Sequence, residues 1–335
     1  MYKFEYDEIV IVPLDFNQFY QSACDYRTKI TYSREYTISE SIFEQLKILI
    51  QDIGKIKWIA IDMKSVVSYP SRLFSELINY DCKKVFFYNV SNGTLRNKLS
   101  EDIDGIEWIS DEIGCFDDKA QKDIEKYISG ICKEARKKEQ MKIVEKLVQP
   151  YELGKEKPLD SSGLYSNCYV NIKGLFTNSN DYYFTIYCLA EKISTLNIKF
   201  DAFISSSKNG AIIANLLGGL LNKKVVHILG VGPKYSMELG EPISCVKEGK
   251  GYIYIFDFIC TGTELKIASA LVNSRNANFL FGMGIAQYKK SELNLSLFRN
   301  IDVLVDMHEM KVNYKITGDK RDIGILSREG RANDN

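Results

Sequence analysis

The stretch FDFICTGTEL, Phe256–Leu265, decides the fold of the second half of the chain. It follows the apolar run YIYI, Tyr252–Ile255, and precedes a helical pattern, so a strand leads through a loop of small residues into a helix. The loop Thr261–Thr263 offers backbone N–H groups, small hydroxyls and the positive end of a helix dipole. The pattern therefore predicts that the loop Phe258–Thr263 binds a phosphate group, and we call this loop the cradle. Asp257, at the end of the strand, is expected to face the part of the ligand that is attached to the phosphate.

Overall composition excludes some classes of partner. The chain has 335 residues, of which 45% are apolar and 26% charged, which is enough for about two domains. Lys plus Arg and Asp plus Glu both number 44, so no overall basic field is present to hold nucleic acid or an anionic membrane surface. We therefore expect neither of these partners, and any polyanion must be bound locally.

The localisation expected from the sequence is cytoplasmic. The N-terminus MYKFEYDEIVIV lacks the charged-then-apolar pattern of a signal peptide. The longest apolar stretch, Ala211–Leu221, is interrupted by Asn215 and is too short to span a bilayer. Eight cysteines are scattered without a CxxC pair, which argues for reduced thiols and against a structural zinc site.

Three zones divide the chain, and both end zones have α/β character. In residues 1–115, short β-rich runs such as EIVIVPL and KWIAIDM alternate with helical patterns, which predicts a small α/β domain. Residues 116–154 combine a charged helix with a Pro- and Gly-containing connector, and the basic run Arg136–Lys138 is predicted on a solvated face of that helix. Residues 155–335 alternate strands and helices, which predicts a mostly parallel sheet flanked by helices.

Two loops of the second half are predicted to meet at one ligand. The loop Ser205–Gly210 and the cradle both follow strands, and in such sheets ligands bind outside the carboxyl ends of the strands. The Ser205–Gly210 loop could instead be an ordinary strand-to-helix turn, in which Asn209 and Gly210 accommodate positive φ. The cradle could likewise be an ordinary strand-to-helix turn with an N-cap threonine. Cys260, within the cradle, is either a thiol activated by the helix N-terminus or simply the small residue that the loop needs.

These features together resemble a type I phosphoribosyltransferase, closest in layout to the orotate phosphoribosyltransferases. The family's signature is an apolar strand, two acids, small or apolar residues and Thr-Gly-Thr or a near variant, and Phe256–Thr263 is similar to it. SGLYSNCYVN at Ser162–Asn171 resembles the family's Ser-Gly-x-x-Ser-x-x-Tyr segment, and Phe200–Leu217 resembles its pyrophosphate loop and following helix. Gly230–Gly251 takes the place of its mobile catalytic loop. The resemblance covers about residues 155–310.

The resemblance implies a reaction and a set of site residues. The family displaces pyrophosphate from phosphoribosyl pyrophosphate with a base nitrogen, and Mg²⁺ neutralises the departing diphosphate. The implied catalytic residues are Asp257, which contacts the ribose hydroxyls and the metal, and Lys234 on the mobile loop. The implied substrate-binding residues are Phe258, Ile259, Cys260, Thr261, Gly262 and Thr263 near the 5′-phosphate, Ser206, Ser207, Lys208, Asn209 and Gly210 near the pyrophosphate, and Ser162, Gly163, Ser166 and Tyr169 in the first segment.

The sequence also departs from the family's pattern. The first acid of the signature is Phe256 here, which leaves a single acid for both ribose hydroxyls and any metal-bound water. The family's Arg-Lys pair is absent from HILGVGPKYSM, so that Lys234, or else Lys247 or Lys250, must supply positive charge. Ser161 stands where many orotate enzymes have a substrate-contacting lysine. Removing one charge that stabilises the transition state typically costs about 10² to 10³ in rate.

Residues 1–115 are more distantly similar to STAS-like domains, the α/β modules of anti-sigma-factor antagonists. The stretches Trp58–Ile78 and KKVFFYNVSNGTLRNKL resemble their strand, Ser-bearing loop, helix, strand and Asn-containing turn. Ser71 lies near a position that is phosphorylatable in some members, and it also fits a helix N-cap. The similarity implies a regulatory or assembly module that binds a protein partner.

Two functions are consistent with these observations. One is an enzyme that transfers phosphoribosyl to a base nitrogen and releases pyrophosphate. The other is a catalytically degenerate sensor of phosphoribosyl pyrophosphate or a nucleotide, which regulates a protein partner in a bacterial stress or defence system. The resemblance further implies a homodimer, in which a loop of one subunit covers its neighbour's site.

Overall fold

The computed structural model describes residues 1–25, 29–53, 57–70, 74, 85–90, 92–116, 122–152, 155–158, 165–228, 244–260, 262–288, 301–310 and 316–317. The chain divides into two compact units, Met1–Glu139 and Gln140–Asn335. The division falls within the segment that the sequence predicts as a helical connector. Within the described ranges, every helix is too short or too polar to cross a bilayer.

The first unit is built on a six-stranded mixed sheet. Its elements are β1 (Phe4–Tyr6), β2 (Ile9–Pro13), α1 (Leu14–Cys24), β3 (Tyr36–Thr37), α2 (Glu40–Ile53), β4 (Trp58–Asp62), β5 (Val66–Ser68), β6 (Val85–Tyr88), α3 (Gly93–Asp102), β7 (Glu107–Ser110), β8 (Ile113–Phe116) and the first part of α4 (Lys122–Leu147). The sheet order is β1-β2-β4-β6-β8-β7, with β2, β4 and β6 parallel and the pairs at both edges antiparallel.

Apolar, β-branched and aromatic residues explain the central strands of this sheet. Every residue of β2 (IVIVP), β4 (WIAID) and β6 (VFFY) is buried, as expected for parallel strands that are covered on both faces. Helix α2 buries Ile42, Phe43, Leu46 and Ile50 in the same core, at the spacing of one helical face. The α/β class predicted for residues 1–115 is thereby confirmed, and Ser71 lies outside the described residues.

Arg136 corrects one expectation from the sequence. Its Nε donates to Oδ2 of Asp62 at 2.7 Å, and its Nη2 donates to Oδ1 of Asp15. Both carboxylates are fully buried, and the Arg136 side chain is only 12% exposed. The prediction of a solvated face is therefore wrong for Arg136, because two buried acids neutralise it, one at the end of β4 and one in the first turn of α1. Lys138 does lie at the surface, 3.4 Å from Glu134.

The second unit contains a five-stranded, wholly parallel sheet. Its elements are the end of α4, β9 (Val148–Pro150), β10 (Lys157–Pro158), β11 (Tyr165–Ser166), β12 (Cys168–Val170), α5 (Ile172–Leu175), α6 (Ser179–Thr195), β13 (Ala202–Ser205), α7 (Lys208–Leu220), β14 (Lys224–His227), β15 (Gly251–Ile259), α8 (Thr263–Ser274), β16 (Asn278–Gln287), β17 (Ile301–Asp306) and β18 (Ile316–Thr317). The parallel sheet has the order β14-β13-β15-β16-β17. The predicted parallel sheet flanked by helices is confirmed.

The core on one side of this sheet lies beneath α8. Tyr252, Tyr254 and Phe256 of β15 pack with Leu265 and Ala268 of the helix, and all five side chains are buried. Alternate residues of a strand point to opposite faces, so Ile253, Ile255 and Asp257 face the other way. The strand therefore delivers its single signature acid to the side on which α7 lies.

Candidate functional site

Polar side chains collect where the strands of the parallel sheet have their C-terminal ends. We call this side of the sheet its carboxyl edge. Strand β13 ends at Ser205, β15 at Ile259, β16 at Gln287 and β17 at Asp306. Because these strands are parallel, their ends lie along one edge, which is where ligands bind in sheets of this kind. The loop into α7 and the loop into α8 both leave from this edge.

One hydrogen bond joins the start of α7 to the strand that leads into the cradle. The Nδ2 of Asn209, in the first turn of α7, donates to Oδ2 of Asp257 at 2.8 Å. Ser207 caps the same helix, since its Oγ accepts from the backbone N–H of Gly210 at 3.0 Å. The structure thus shows the convergence of the Ser205–Gly210 loop with the strand that leads into the cradle.

Ser206 links the first loop to β15 and α8. Its Oγ forms a short hydrogen bond with Oη of Tyr254 and lies 3.5 Å from Oε2 of Glu264. Both Ser206 and Tyr254 are buried, and burial is the main cause that raises the pKa of the Tyr254 phenol. The hydrogen bond between the two hydroxyls therefore holds the first loop against β15.

Two glycines at this edge are required by backbone geometry. A Cβ at Gly210 would lie 2.5 Å from Oγ of Ser205 and 2.8 Å from the carbonyl oxygen of Ile255. Gly262, the N-cap of α8, has a φ of 70°, in the left-handed region that favours glycine. The close approach of the first loop to β15 and the turn into α8 both depend on the absence of a side chain.

Phe256 lies in the core rather than at the ligand edge. It is 4% exposed, and its ring stacks on Tyr254 with centroids 6.3 Å apart. The ring also covers Gly284, where a Cβ would lie 2.1 Å from it. A carboxylate in this apolar position would be desolvated without a partner, which is costly. Asp257 is therefore the signature acid that reaches the side of α7.

A second polar group lies further along the same edge. The Nε2 of Gln287 donates to Oδ2 of Asp306 at 3.1 Å. The other carboxylate oxygen, Oδ1 of Asp306, accepts from the backbone N–H of His308 at 3.4 Å. The ring nitrogen Nδ1 of His308 lies 2.6 Å from the same oxygen. The group therefore extends the polar edge from β15 across β16 to β17.

Half of this chain resembles solved phosphoribosyltransferase structures. The adenine phosphoribosyltransferase of Thermoanaerobacter pseudethanolicus is 15% identical over 50% of this chain and 99% of its own, with a TM-score of 0.40. The orotate phosphoribosyltransferase of Aeropyrum pernix is 16% identical over 51% of this chain and 95% of its own, also at 0.40. A phosphoribosyltransferase of Corynebacterium diphtheriae is 14% identical over 53% and 99%, at 0.38. No family model and no curated protein matches the chain.

The predicted cradle residues have different surroundings. Ile259 is 5% exposed and belongs to the core cluster with Leu265, so its backbone rather than its side chain borders the loop. Burial raises the pKa of the Cys260 thiol to about 12, which favours a packing role for this residue over an activated thiol. Phe258 and Thr263 are half-buried.

Ser166 and Tyr169 make contacts that do not reach the carboxyl edge. Ser166 is fully buried, and its hydroxyl donates to the carbonyl of Cys168 at 2.6 Å and accepts from its N–H at 3.2 Å. The Tyr169 hydroxyl contacts Gln149, and its ring stacks on Tyr151 with centroids 5.5 Å apart. In the described part of the chain, both side chains therefore contact residues in or next to the paired strands β9 and β12. The predicted residues that lie outside the described part of the chain are Ser162, Gly163, Lys234 and Thr261.

Lys247 and Lys250 lie at the opposite edge of the sheet. Both precede β15, and Nζ of Lys250 pairs with Oδ1 of Asp201 at 3.0 Å, just before β13 begins. Asp257 lies about 23 Å further along the strand, at 3.3 Å per residue. The expectation that Lys247 or Lys250 could supply the charge of the family's Arg-Lys pair and mobile loop is therefore wrong, because the length of β15 separates both lysines from the proposed site.

The sequence reasoning missed four polar residues at this site. Gln287 and Asp306 each end an apolar strand, in FLFGMGIAQ and IDVLVD, and a polar residue after such a run is a signal that could have found them. Tyr254 and Glu264 lack such a signal, because a tyrosine within an apolar strand and a glutamate in a first helical turn are both common.

Proposed function

We propose that the second unit binds phosphoribosyl pyrophosphate, or a nucleotide, and transfers the phosphoribosyl group to a base nitrogen with release of pyrophosphate. The observation that supports this proposal is the 2.8 Å hydrogen bond between Asn209, at the start of α7, and Asp257, on the strand that leads into the cradle. A ligand with a phosphate at one end and a diphosphate at the other needs two anion-binding loops with a hydroxyl-binding acid between them.

Each loop has a separate task in this proposal. Gly262 and Thr263, at the N-terminus of α8, receive the 5′-phosphate through backbone N–H groups and the helix dipole. The turn Ser207–Gly210 at the N-terminus of α7 receives the diphosphate, and the exposed Lys208 adds positive charge beside it. Asp257 accepts hydrogen bonds from the ribose hydroxyls, while Asn209 fixes the orientation of its carboxylate.

Mg²⁺ is proposed as part of the substrate complex. The described residues contain no group of three or more His, Cys, Asp or Glu that could hold a metal. Mg²⁺ does not need such a cage, because it usually keeps several waters and is held by one or two carboxylates plus substrate phosphates. Asp257 fits that pattern. When bound, the ion would neutralise charge on the departing diphosphate.

The test of the enzyme proposal is pyrophosphate release from phosphoribosyl pyrophosphate with a panel of purine and pyrimidine bases. We expect release that depends on one class of base, and a loss of at least about 10²-fold in Asp257→Asn. Asp201→Asn is the matched control, since Asp201 lies at the opposite edge of the same sheet. Release from none of the bases, or full activity in Asp257→Asn, would contradict the proposal.

A second candidate function is a sensor that binds the same ligand without turning it over. Buried Phe256 favours it, because the signature then contributes one acid to the ribose where the family's pattern has two. Hydrogen exchange of the full chain with and without ligand would test this function. Protection spreading from the carboxyl edge without pyrophosphate release supports the sensor, and base-dependent release contradicts it.

The remaining expectations also belong to this proposal. We propose that the first unit, with its STAS-like sequence, acts as a regulatory module for a protein partner, and that the chain forms a homodimer in the cytoplasm. Light scattering of the full chain tests the dimer. A monomeric mass across micromolar concentrations, with and without ligand, would contradict it.

A further inference from the structure

Asp306 holds His308 in one orientation. Nδ1 of His308 lies 2.6 Å from Oδ1 of Asp306, while Nε2 of Gln287 donates to the other carboxylate oxygen at 3.1 Å. Both oxygens of Asp306 are therefore engaged, and its orientation is fixed. An imidazole whose Nδ1–H donates to a carboxylate presents the lone pair of Nε2, and the His308 side chain is 47% exposed.

The strand register places this pair beside the proposed ribose site. Ile259 pairs with Gln287, and Gln287 pairs with Asp306, so the three residues lie at one level across three neighbouring strands. Asp257 lies two residues before Ile259 on β15. With strands about 4.8 Å apart and a rise of about 3.3 Å per residue, the Cα atoms of Asp257 and Asp306 are about 12 Å apart. Asp257 and the Asp306–His308 pair therefore lie on one stretch of the carboxyl edge, separated by two strand spacings.

We propose that His308, oriented by Asp306, is the general base that accepts the proton of the attacking nitrogen. This inference rests on the proposed function and assigns the nucleophile side of the site to β16 and β17. The diphosphate side is then the turn at the start of α7, on the other side of Asp257. The sheet edge is thereby divided into a leaving-group end and a nucleophile end.

The step balances with groups that the protein and substrates supply. The nitrogen lone pair forms the bond to C1′ of the ribose, and the bond from C1′ to the diphosphate oxygen breaks, with its electron pair leaving on pyrophosphate. The N–H proton of the nucleophile passes to Nε2 of His308. The imidazolium that results is stabilised by Asp306 at Nδ1–H, as in other carboxylate–imidazole pairs.

The chain offers two internal reporters for a binding test. It contains two histidines, and His227 ends β14, beyond β13 at the leaving-group end of the same edge. The Nε2 of His227 lies 3.2 Å from Nδ2 of Asn215, in α7. The imidazole NMR signals of the 335-residue chain can therefore be assigned with two variants, His227→Gln and His308→Gln.

Titrations with Mg²⁺-pyrophosphate, ribose 5-phosphate and the nucleoside 5′-monophosphates AMP, GMP, CMP and UMP separate the two ends of the site. We expect a bound nucleotide to shift the His308 signals, and ribose 5-phosphate and pyrophosphate to leave them unchanged. A nucleotide that binds by calorimetry but does not shift His308 would overturn this inference alone. If neither these ligands nor phosphoribosyl pyrophosphate bind, the proposed function is overturned as well.

Kinetics provide the second test, in the base-dependent release assay. We expect His308→Ala to lower kcat by roughly 10²- to 10⁴-fold with little change in KM for phosphoribosyl pyrophosphate, and added imidazole to restore part of the rate. Asp306→Asn should lower kcat less, because it changes the orientation of the base and not its presence. Wild-type kcat in His308→Ala, or a lowered kcat that imidazole does not raise, would overturn the role of His308.

Discussion

The buried Arg136 cluster of the first unit gives the sharpest stability prediction. Replacing Arg136 with Met removes the guanidinium but keeps an unbranched side chain. Asp15 and Asp62, both 0% exposed, are then left in the core without their cation. Breaking a buried ion pair from one side typically costs about 3–5 kcal/mol, because the remaining charge stays desolvated. Two carboxylates share this arginine, so we expect Arg136→Met to reach at least that range.

Urea denaturation followed by tryptophan fluorescence measures this loss directly. Both tryptophans, Trp58 and Trp108, lie in the first unit, so their signal reports that unit. With a slope of about 2 kcal/mol per molar urea, the midpoint should fall by about 2 M. The matched control is Lys57→Met, because Lys57 pairs with Glu5 at 2.8 Å on the surface, where such pairs contribute about 0–1 kcal/mol.

A compensated variant separates buried charge from lost packing. Asp15→Asn, Asp62→Asn and Arg136→Met together remove all three charges, and the Asn oxygens can still accept from the N–H of Phe16 and from Asn89. We expect the triple variant to recover most of the stability. An Arg136→Met midpoint equal to that of Lys57→Met would refute the reasoning, and so would a triple variant less stable than Arg136→Met alone.

Three further predictions concern the second unit. Phe256→Asp should destabilise the second unit by at least about 3 kcal/mol, because the substitution leaves a cavity over Gly284 and buries an unpaired acid. Hydrogen exchange of the β15 amides measures this loss, and unchanged protection would contradict the prediction. Gly210→Ala should destabilise by about 1–3 kcal/mol, since the new Cβ meets the Ile255 carbonyl at 2.8 Å. Gly219→Ala in the same helix should be neutral or stabilising, because nothing lies within 4 Å, and equal effects of the two substitutions in thermal unfolding would count against this reasoning. In thiol labelling at pH 8, Cys245→Ser should remove a fast-reacting thiol, because Cys245 is exposed. Cys260→Ser should remove none, because burial raises the pKa of the Cys260 thiol to about 12 and keeps it out of the reactive thiolate form. Fast labelling of Cys260 would contradict the raised pKa.

Local patterns predicted the part of the site that depends on neighbours in sequence. The apolar run before Phe256 and the small residues after it lie within about ten positions, and they did specify a strand, a turn and a helix. The convergence with the Ser205–Gly210 loop was also predictable, because parallel strands put their carboxyl ends at one edge.

Contacts between distant segments were not predictable. Arg136 reads as a solvated residue in a charged helix, since its partners lie 121 and 74 positions away and are paired with it only in the folded unit. The position of Lys250 depended on where β15 begins, one residue later. Predicting that Gln287, Asp306 and His308 form one group requires the order of the strands in the sheet, and no single segment of the sequence contains that order.

Calorimetric titration of phosphoribosyl pyrophosphate with Mg²⁺ into the full chain tests the central claim most directly. The account predicts binding that Asp257→Asn weakens by at least tenfold and Asp201→Asn leaves unchanged, since these acids lie at the ligand edge and the opposite edge of one sheet. No binding at millimolar ligand, or equal weakening by both substitutions, would contradict a phosphoribosyl site at the carboxyl edge.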